Sequence, residues 1–229
     1  KLIEPNGRWK ELIEEAKENK NPLHAWNKLR LAKGEEFSKI WLQLAEEFTQ
    51  SQKALNEQNS RSYAQRWQFN SDSTSIGSWV LDGNGLNGSV AKPVAFRVLP
   101  KGNRVIDAIL PGGVYSHLLS DKHAGVLSSP AFKAEEGQRL YVRVVANGDV
   151  MTRYVVQNYT RGGTVYPTTR LRKGKWRWQS WDIGYWSGDD LHLEVTTAGE
   201  QAILFSNKTN SWFGVTDVLV TSKDKPSPK

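Results

Sequence analysis

Two different spacings of apolar residues divide the chain near residue 69. Before it, apolar positions recur every three or four residues, and Trp9, Leu12, Ile13 and Ala16 fall on one helical face. Asn21-Pro22 reads as the N-cap and first-turn proline of a second helix. That helix carries Leu23, Trp26 and Leu29 or Leu31, and stops at Gly34. A third helix begins near Glu35, with Phe37, Ile40, Trp41, Leu44 and Phe48 as its apolar stripe. Beyond Thr49 the run QSQKALNEQNSRSYAQR is almost wholly polar, yet still favours a helix. It predicts a solvent-bridging helix, or one that rests on another domain.

From about Asn70 the period shortens to two. Short β-rich runs alternate with Gly, Asn, Asp and Pro, which predicts strands near 77–82, 94–99, 104–110, 124–127, 139–146, 152–158, 175–182, 190–196, 201–206 and 212–221. In RLYVRVV, Leu140, Val142 and Val144 share a face. In LHLEV, Leu191, Leu193 and Val195 oppose His192 and Glu194. About ten short strands with no helical pattern between them imply an antiparallel β-sandwich of jelly-roll type, galactose-binding-like or concanavalin-like. The expected organisation is a helical segment over 1–69, a sandwich over 70–222, and a polar, proline-bearing tail over 223–229 that reads as a linker.

Composition narrows the function classes. The 229 residues contain no Cys, so they hold no disulfide, no thiolate metal site and no covalent haem-attachment motif. No apolar run has the length of a membrane span. The chain opens at Lys1, has its one Met at 151, and reads as a piece of something longer. Net charge is +7, which favours acidic partners in general. The helical part to Arg66 has twelve basic and ten acidic residues, and no nucleic-acid motif appears, so nucleic acid is not expected as a partner.

Several long runs are distinctive as text: LPGGVYSHLLSDKHAGVLSSPAF (110–132), RYVVQNYTRGGTVYP (153–167), WRWQSWDIGYWSGDDLHLEVTTA (176–198) and SWFGVTDVLV (211–220). They resemble a sandwich region of large planctomycete proteins that join cytochrome-c-type haem domains to domains of unknown function. NPLHAWNKL (21–29) is similar to the helical segment before that sandwich. The resemblance implies an extracytoplasmic (periplasmic, cell-surface or secreted) multidomain protein, with any haem outside these residues. GVLSSPAF followed by RLYVRV also resembles galactose-binding-like jelly rolls, an architecture shared by many carbohydrate-binding modules.

The densest candidate chemistry lies at 174–190, GKWRWQSWDIGYWSGDD, which holds four of the ten Trp. On a regular strand Trp176 and Trp178 face one side, while Arg177, Gln179 and Trp181 face the other. The expectation is Trp176 and Trp178 inward, with Trp181 and the Tyr185-Trp186 turn outward as a platform. The apolar face of a pyranose packs on an aromatic plane, and nearby polar side chains bond its hydroxyls. Arg153, Gln157 and Tyr159 are candidates to line a groove beside the loop that ends at Tyr166, and with Arg177 to orient the sugar. The bland alternative makes the tryptophans core and the polar strand face solvated.

Other constellations carry less. His117, Asp121 and His123 in SHLLSDKH match no metal signature, and Ser and Asp side chains bonding the backbone explain the loop equally well. Asp82 in LDGNG and Asp217 in VTDVLV are candidate oxygen ligands for a structural Ca2+. Hydrolysis of a glycan needs two carboxylates about 5–10 Å apart across one groove. Glu194 is one candidate, with Asp182, Asp189 and Asp190 near the Trp-rich turn, but no E-x-D-x-x-E strand, Walker loop, G-x-S-x-G elbow or HExxH occurs. The reading is a non-catalytic module that binds polysaccharide, with the positive charge favouring an anionic one, for the larger extracytoplasmic protein that the resemblance implies. The alternatives are a scaffold that braces neighbouring domains of the parent chain, and a glycan-active enzyme.

Overall fold

The computed structural model describes residues 7–60, 63–69, 74–88, 90–92, 95–98, 106–157, 168–171, 174–200 and 210–222. The chain separates into two compact units, Lys1–Arg61 and Ser62–Lys229.

The first unit is helical. Helix α1 spans Gly7–Glu15, α2 spans His24–Leu29 and α3 spans Gly34–Ser60. Asn21, expected as the N-cap of α2, instead lies in the turn before it, where its Oδ1 accepts the Leu23 N–H at 2.8 Å; the N-cap position is Leu23. Gly34 has φ +56°, a left-handed conformation that lets α3 start directly after the turn. The polar half of α3 stays helical, and i,i+4 bonds such as Gln43 Nε2 to Glu47 Oε1 (2.8 Å) support its surface. The apolar stripe is not a buried face as expected. Among the described residues of this unit Ala16 is the one buried apolar residue, while Trp9, Trp26, Phe37, Trp41 and Phe48 are exposed. The Phe37 and Trp41 rings stack on each other with centroids 6.4 Å apart. No helix among the described residues is long and apolar enough to cross a membrane.

The second unit is mainly β: two antiparallel sheets face to face. In chain order its strands are β1 Tyr63–Gln68, β2 Val80–Asp82, β3 Val90–Ala91, β4 Ala95–Val98, β5 Ile106–Leu110, β6 Gly113–Tyr115, β7 Val126–Ser128, β8 Phe132–Lys133, β9 Arg139–Asn147, β10 Val150–Val156, β11 Thr168–Leu171, β12 Arg177–Asp182, β13 Asp190–Thr197 and β14 Trp212–Thr221. The first sheet runs β12-β9-β14-β6-β3, with β1 also on β14. The second runs β11-β10-β13-β7-β2, with β8 also on β13. Strands β4 and β5 form a separate hairpin.

The core lies between the sheets. Leu140, Val142 and Val144 of β9 meet Leu191, Leu193 and Val195 of β13, both by the alternation read from sequence. In β14 the register shifts between Val215 and Asp217, a bulge that resets the phase so that Val215 and Val218 both point inward. Residues 63–68, expected as helix, are instead the strand β1 on β14. Their Ala, Gln and Arg content favours a helix, but Trp67 and Phe69, two apart, fill the core. The predicted strand at 201–206 and the 223–229 tail lie outside the described residues.

Two of the crossings between the sheets bear on the site described below. The step from β9 to β10 passes through Gly148 (φ +73°), where an added Cβ would sit 2.6 Å from the Asn210 carbonyl oxygen. The step from β12 to β13 passes through a single 3-10 turn, Gly184–Trp186.

Candidate functional site

The β12–β13 crossing is anchored from several sides. Ile183 N–H donates to the Gln138 carbonyl (3.1 Å), Gly188 N–H to the Ala134 carbonyl (2.9 Å), and Ala134 N–H to the Asp189 carbonyl (3.0 Å). A Cβ on Gly184 would come within 2.8 Å of the Gly137 nitrogen, so the two loops touch backbone to backbone. The Trp186 indole N–H donates to the Tyr154 hydroxyl at 3.0 Å, and its ring packs on the core. Tyr185 projects from this fixed base with 87% of its surface exposed. Its ring meets Trp186 edge to face, 4.9 Å between centroids.

The same turn continues into a cleft of about 390 Å³, lined by Ala131, Gln157, Gly188, Asp189, Asp190, Leu191 and His192. It sits where β10 ends and β13 begins. Gln157 takes the left-handed conformation (φ +49°) just past β10, its N–H donates to the Asp190 carbonyl (2.8 Å), and its side-chain amide donates to Asp189 Oδ1. Lys133 lies beside the cleft, 3.9 Å from Asp190 and 3.3 Å from the Gly188 carbonyl. The cleft is thus faced by amide, carboxylate and imidazole groups, despite the chain's net charge of +7.

His192 connects the cleft to a buried ionic group. Its Nε2 lies 3.3 Å from Glu194 Oε1, while Arg153 Nε and Nη2 each donate to Glu194 Oε2 at 2.6 Å. Arg153 and Glu194 are register partners on β10 and β13, on the face away from the core. Burial pushes the Glu194 carboxyl up, but the bonds from His192 and Arg153 and the charge of Arg153 outweigh it and hold it below the ordinary carboxylate range. Burial also raises the Tyr154 phenol, and the bond from Trp186 offsets only part of that.

The sequence candidates divide accordingly. Tyr185 is exposed as expected, and Gln157 lines the cleft. Trp186 is half-buried and acts as an anchor. Trp181 is only 7% exposed and packs edge to face on Tyr154, so the expectation of an outward ring is corrected. The alternation along β12 holds, but its sides are reversed. Trp181 pairs with Leu140 and therefore faces the core, whereas Trp178 pairs with Arg143 on the outer face. Trp178 meets Tyr141 there, and Trp176 lies under the Arg143 guanidinium at 5.5 Å. Arg177 is exposed at the other end of β12 from the turn, about 17 Å along the strand, so it does not join the cleft. Arg153, expected to line a groove, is buried and committed to Glu194. Tyr159 and Tyr166 lie outside the described residues.

The metal expectation does not assemble. Asp82 Oδ1 accepts the Gly83 N–H (2.8 Å) on β2 of the second sheet. Asp217 accepts from Gln68 (3.1 Å) and lies 3.9 Å from Arg143 on β14 of the first sheet. Both point away from the core on opposite sheets, so one ion does not reach both. Among the described residues no group of three His, Asp or Glu is placed to hold a metal. His117 is buried and stacks on Trp212 at 3.8 Å, apart from Asp121 and His123, which line a pocket of about 160 Å³. Glu194 lies outward beside His192 as expected, but the group facing it is Arg153, not a second carboxylate. In the sequence Asp189 and Asp190 stand out only as carboxylates near the turn, and His192 does not stand out as a cleft residue at all. The signal for all three is SGDDLH itself, three polar side chains soon after an exposed aromatic.

No family model matches the chain, and no curated protein does. Among solved structures it is similar to TmCBM61 in complex with β-1,4-galactotriose, at 12% identity and a TM-score of 0.36, over 67% of this chain and 97% of that one. It is similar to the K3 cleaved adhesin domain of Lys-gingipain from Porphyromonas gingivalis, at 12% identity and a TM-score of 0.40, over 70% and 99%. It is also similar to CBM35 from Cellvibrio japonicus Abf62, at 12% identity and a TM-score of 0.30, over 63% and 93%. Overlaps this loose carry no argument about a ligand, and the two-sheet architecture rests on the strand pairings. None of the three carries a planctomycete or cytochrome association.

Proposed function

We propose that the sandwich is a non-catalytic carbohydrate-binding module, with its ligand in the cleft between β10 and β13 and a sugar ring stacked on Tyr185. One observation carries the reading: an exposed aromatic ring on an anchored turn, three residues before the Gly188 edge of a cleft lined by Gln157, Asp189, Asp190 and His192. A rigid aromatic plane takes the apolar face of a pyranose, and fixed polar groups take its hydroxyls. Glu194, the carboxylate best placed in sequence for hydrolysis, is neutralised by Arg153, which supports binding over catalysis. The wider setting, a polysaccharide partner for a larger extracytoplasmic protein of the cytochrome-associated kind that the sequence resembles, belongs to the same proposal.

The test is calorimetric titration of the whole chain against an oligosaccharide panel. Saturable binding is expected, weakened roughly tenfold by Tyr185→Ala. A chain that binds no saccharide overturns the reading. A second role, bracing of neighbouring domains, draws support from the exposed aromatic residues of α1, α2 and α3. It predicts that Trp41→Ser with Phe48→Ser leaves saccharide binding intact and weakens contact with an adjoining domain.

A further inference from the structure

The polar groups of the cleft are not an even mixture of donors and acceptors. Asp189 uses Oδ1 to accept from Gln157, which leaves Oδ2 as an anionic acceptor. That bond orients the Gln157 amide, so its Oε1 remains an acceptor too. Asp190 adds a second carboxylate. His192 also lines the cleft, with its Nε2 held towards the Glu194 carboxylate.

Charge points the same way. Lys133 offsets Asp190 at 3.9 Å. Asp189 has no cationic partner among the described residues, since its side-chain bond comes from a neutral amide. No Lys or Arg lines the cleft among the described residues. A ligand carboxylate here would meet Asp189 with nothing between them to neutralise the pair. A ligand ammonium would find an open carboxylate in Asp189.

Taking the cleft as the saccharide site, an inference that rests on the proposed function, we infer that it selects sugars rich in hydrogen-bond donors and bearing positive charge, with free 2-amino hexosamines preferred and uronates rejected. Net charge alone predicts the reverse. At +7 the protein as a whole attracts anionic chains and repels cationic ones, so local chemistry and overall charge make opposite forecasts.

The experiment titrates the full chain at neutral pH with four short oligosaccharides of matched length: glucosamine, N-acetylglucosamine, a neutral hexose and galacturonate. The glucosamine oligomer is expected to bind roughly tenfold tighter than its N-acetylated form, with galacturonate weakest. Asp189→Asn should erase the amine preference, and Asp190→Asn should reduce it less because Lys133 already offsets that charge. If Asp189→Asn fails to fold, the wild-type comparison of amine with N-acetyl forms decides alone. Tightest binding by galacturonate, or a ranking that Asp189→Asn leaves unchanged, overturns the inference while the carbohydrate reading stands. Binding by none of the four overturns both.

Discussion

The helical unit and the sandwich put the same residue type to opposite use. In the sandwich, Trp67, Trp79 and Trp181 are buried and meet other aromatic rings in the core. In the helical unit, Trp9, Trp26 and Trp41 stand exposed, and Phe37 stacks on Trp41. An excess of tryptophan therefore says nothing by itself about ligands. What decides is whether a second layer covers the ring, and a sheet facing another sheet supplies one where these three helices leave their rings exposed. The most exposed aromatic ring among the described residues of the sandwich is a tyrosine, Tyr185, on a turn between the sheets.

The sharpest way to break this contrast is to truncate one ring from each class. Trp181→Ala should cost about 3–5 kcal/mol, because it empties a site between Tyr154 and β9 that neighbours fill only in part. Denaturant unfolding followed by circular dichroism measures it. A loss below about 1 kcal/mol would mean that the ring is not the core element its burial implies.

Arg153→Ala comes next, at about 3 kcal/mol, since it leaves Glu194 charged and half enclosed. The pH dependence gives its sign. Glu194 has a folded pKa below its ordinary 4.5, so the contribution is complete above that value and fades as pH falls through it and further. The variant should show a flatter loss of stability on acidification than the parent, and an unchanged acid limb would assign that limb to other carboxylates.

A smaller effect is expected at alkaline pH. Burial raises both the Tyr115 and the Tyr154 phenols above 10, so the folded state keeps protons that the unfolded chain releases. Stability from these groups is present below pH 10 and is lost as pH rises through the folded values. Phenolate absorbance should therefore lag in both of these tyrosines, and in Tyr63, whose phenol burial also raises, until the chain unfolds. Smallest of all for folding is Tyr185→Ala, within about 0.5 kcal/mol, alongside its roughly tenfold loss in saccharide affinity. Trp41→Ala should match it in stability, but leave affinity alone.

Much of the sandwich was legible because β9 and β13 place Leu140, Val142 and Val144, and Leu191, Leu193 and Val195, on alternate positions. β1 was not, since a helix-forming composition hides the two-residue spacing of Trp67 and Phe69. In β12 the alternation was visible but the side was not: Arg177, Gln179 and Trp181 read as polar company, although Trp181 continues into the buried Ile183. Arg153 shows a related limit. Alternation places it on the face away from the core, and it is there, yet it is buried and paired. A strand pattern reports a face without reporting what covers it. Asp82 and Asp217 are separated by sheet membership, which no local run of sequence encodes. The cleft was legible in pieces, as Gln157 and Asp189-Asp190, but their meeting depends on β10 and β13 being neighbours.

That meeting has a mechanical side. The floor of the cleft belongs to the middle strands of the second sheet, while its wall is the tether arriving from the edge strand of the first. On the proposed reading, a guest seated there pins that tether against β10 and β13. Amide hydrogen exchange should then slow in β12, where the tether begins, as well as in β10 and β13.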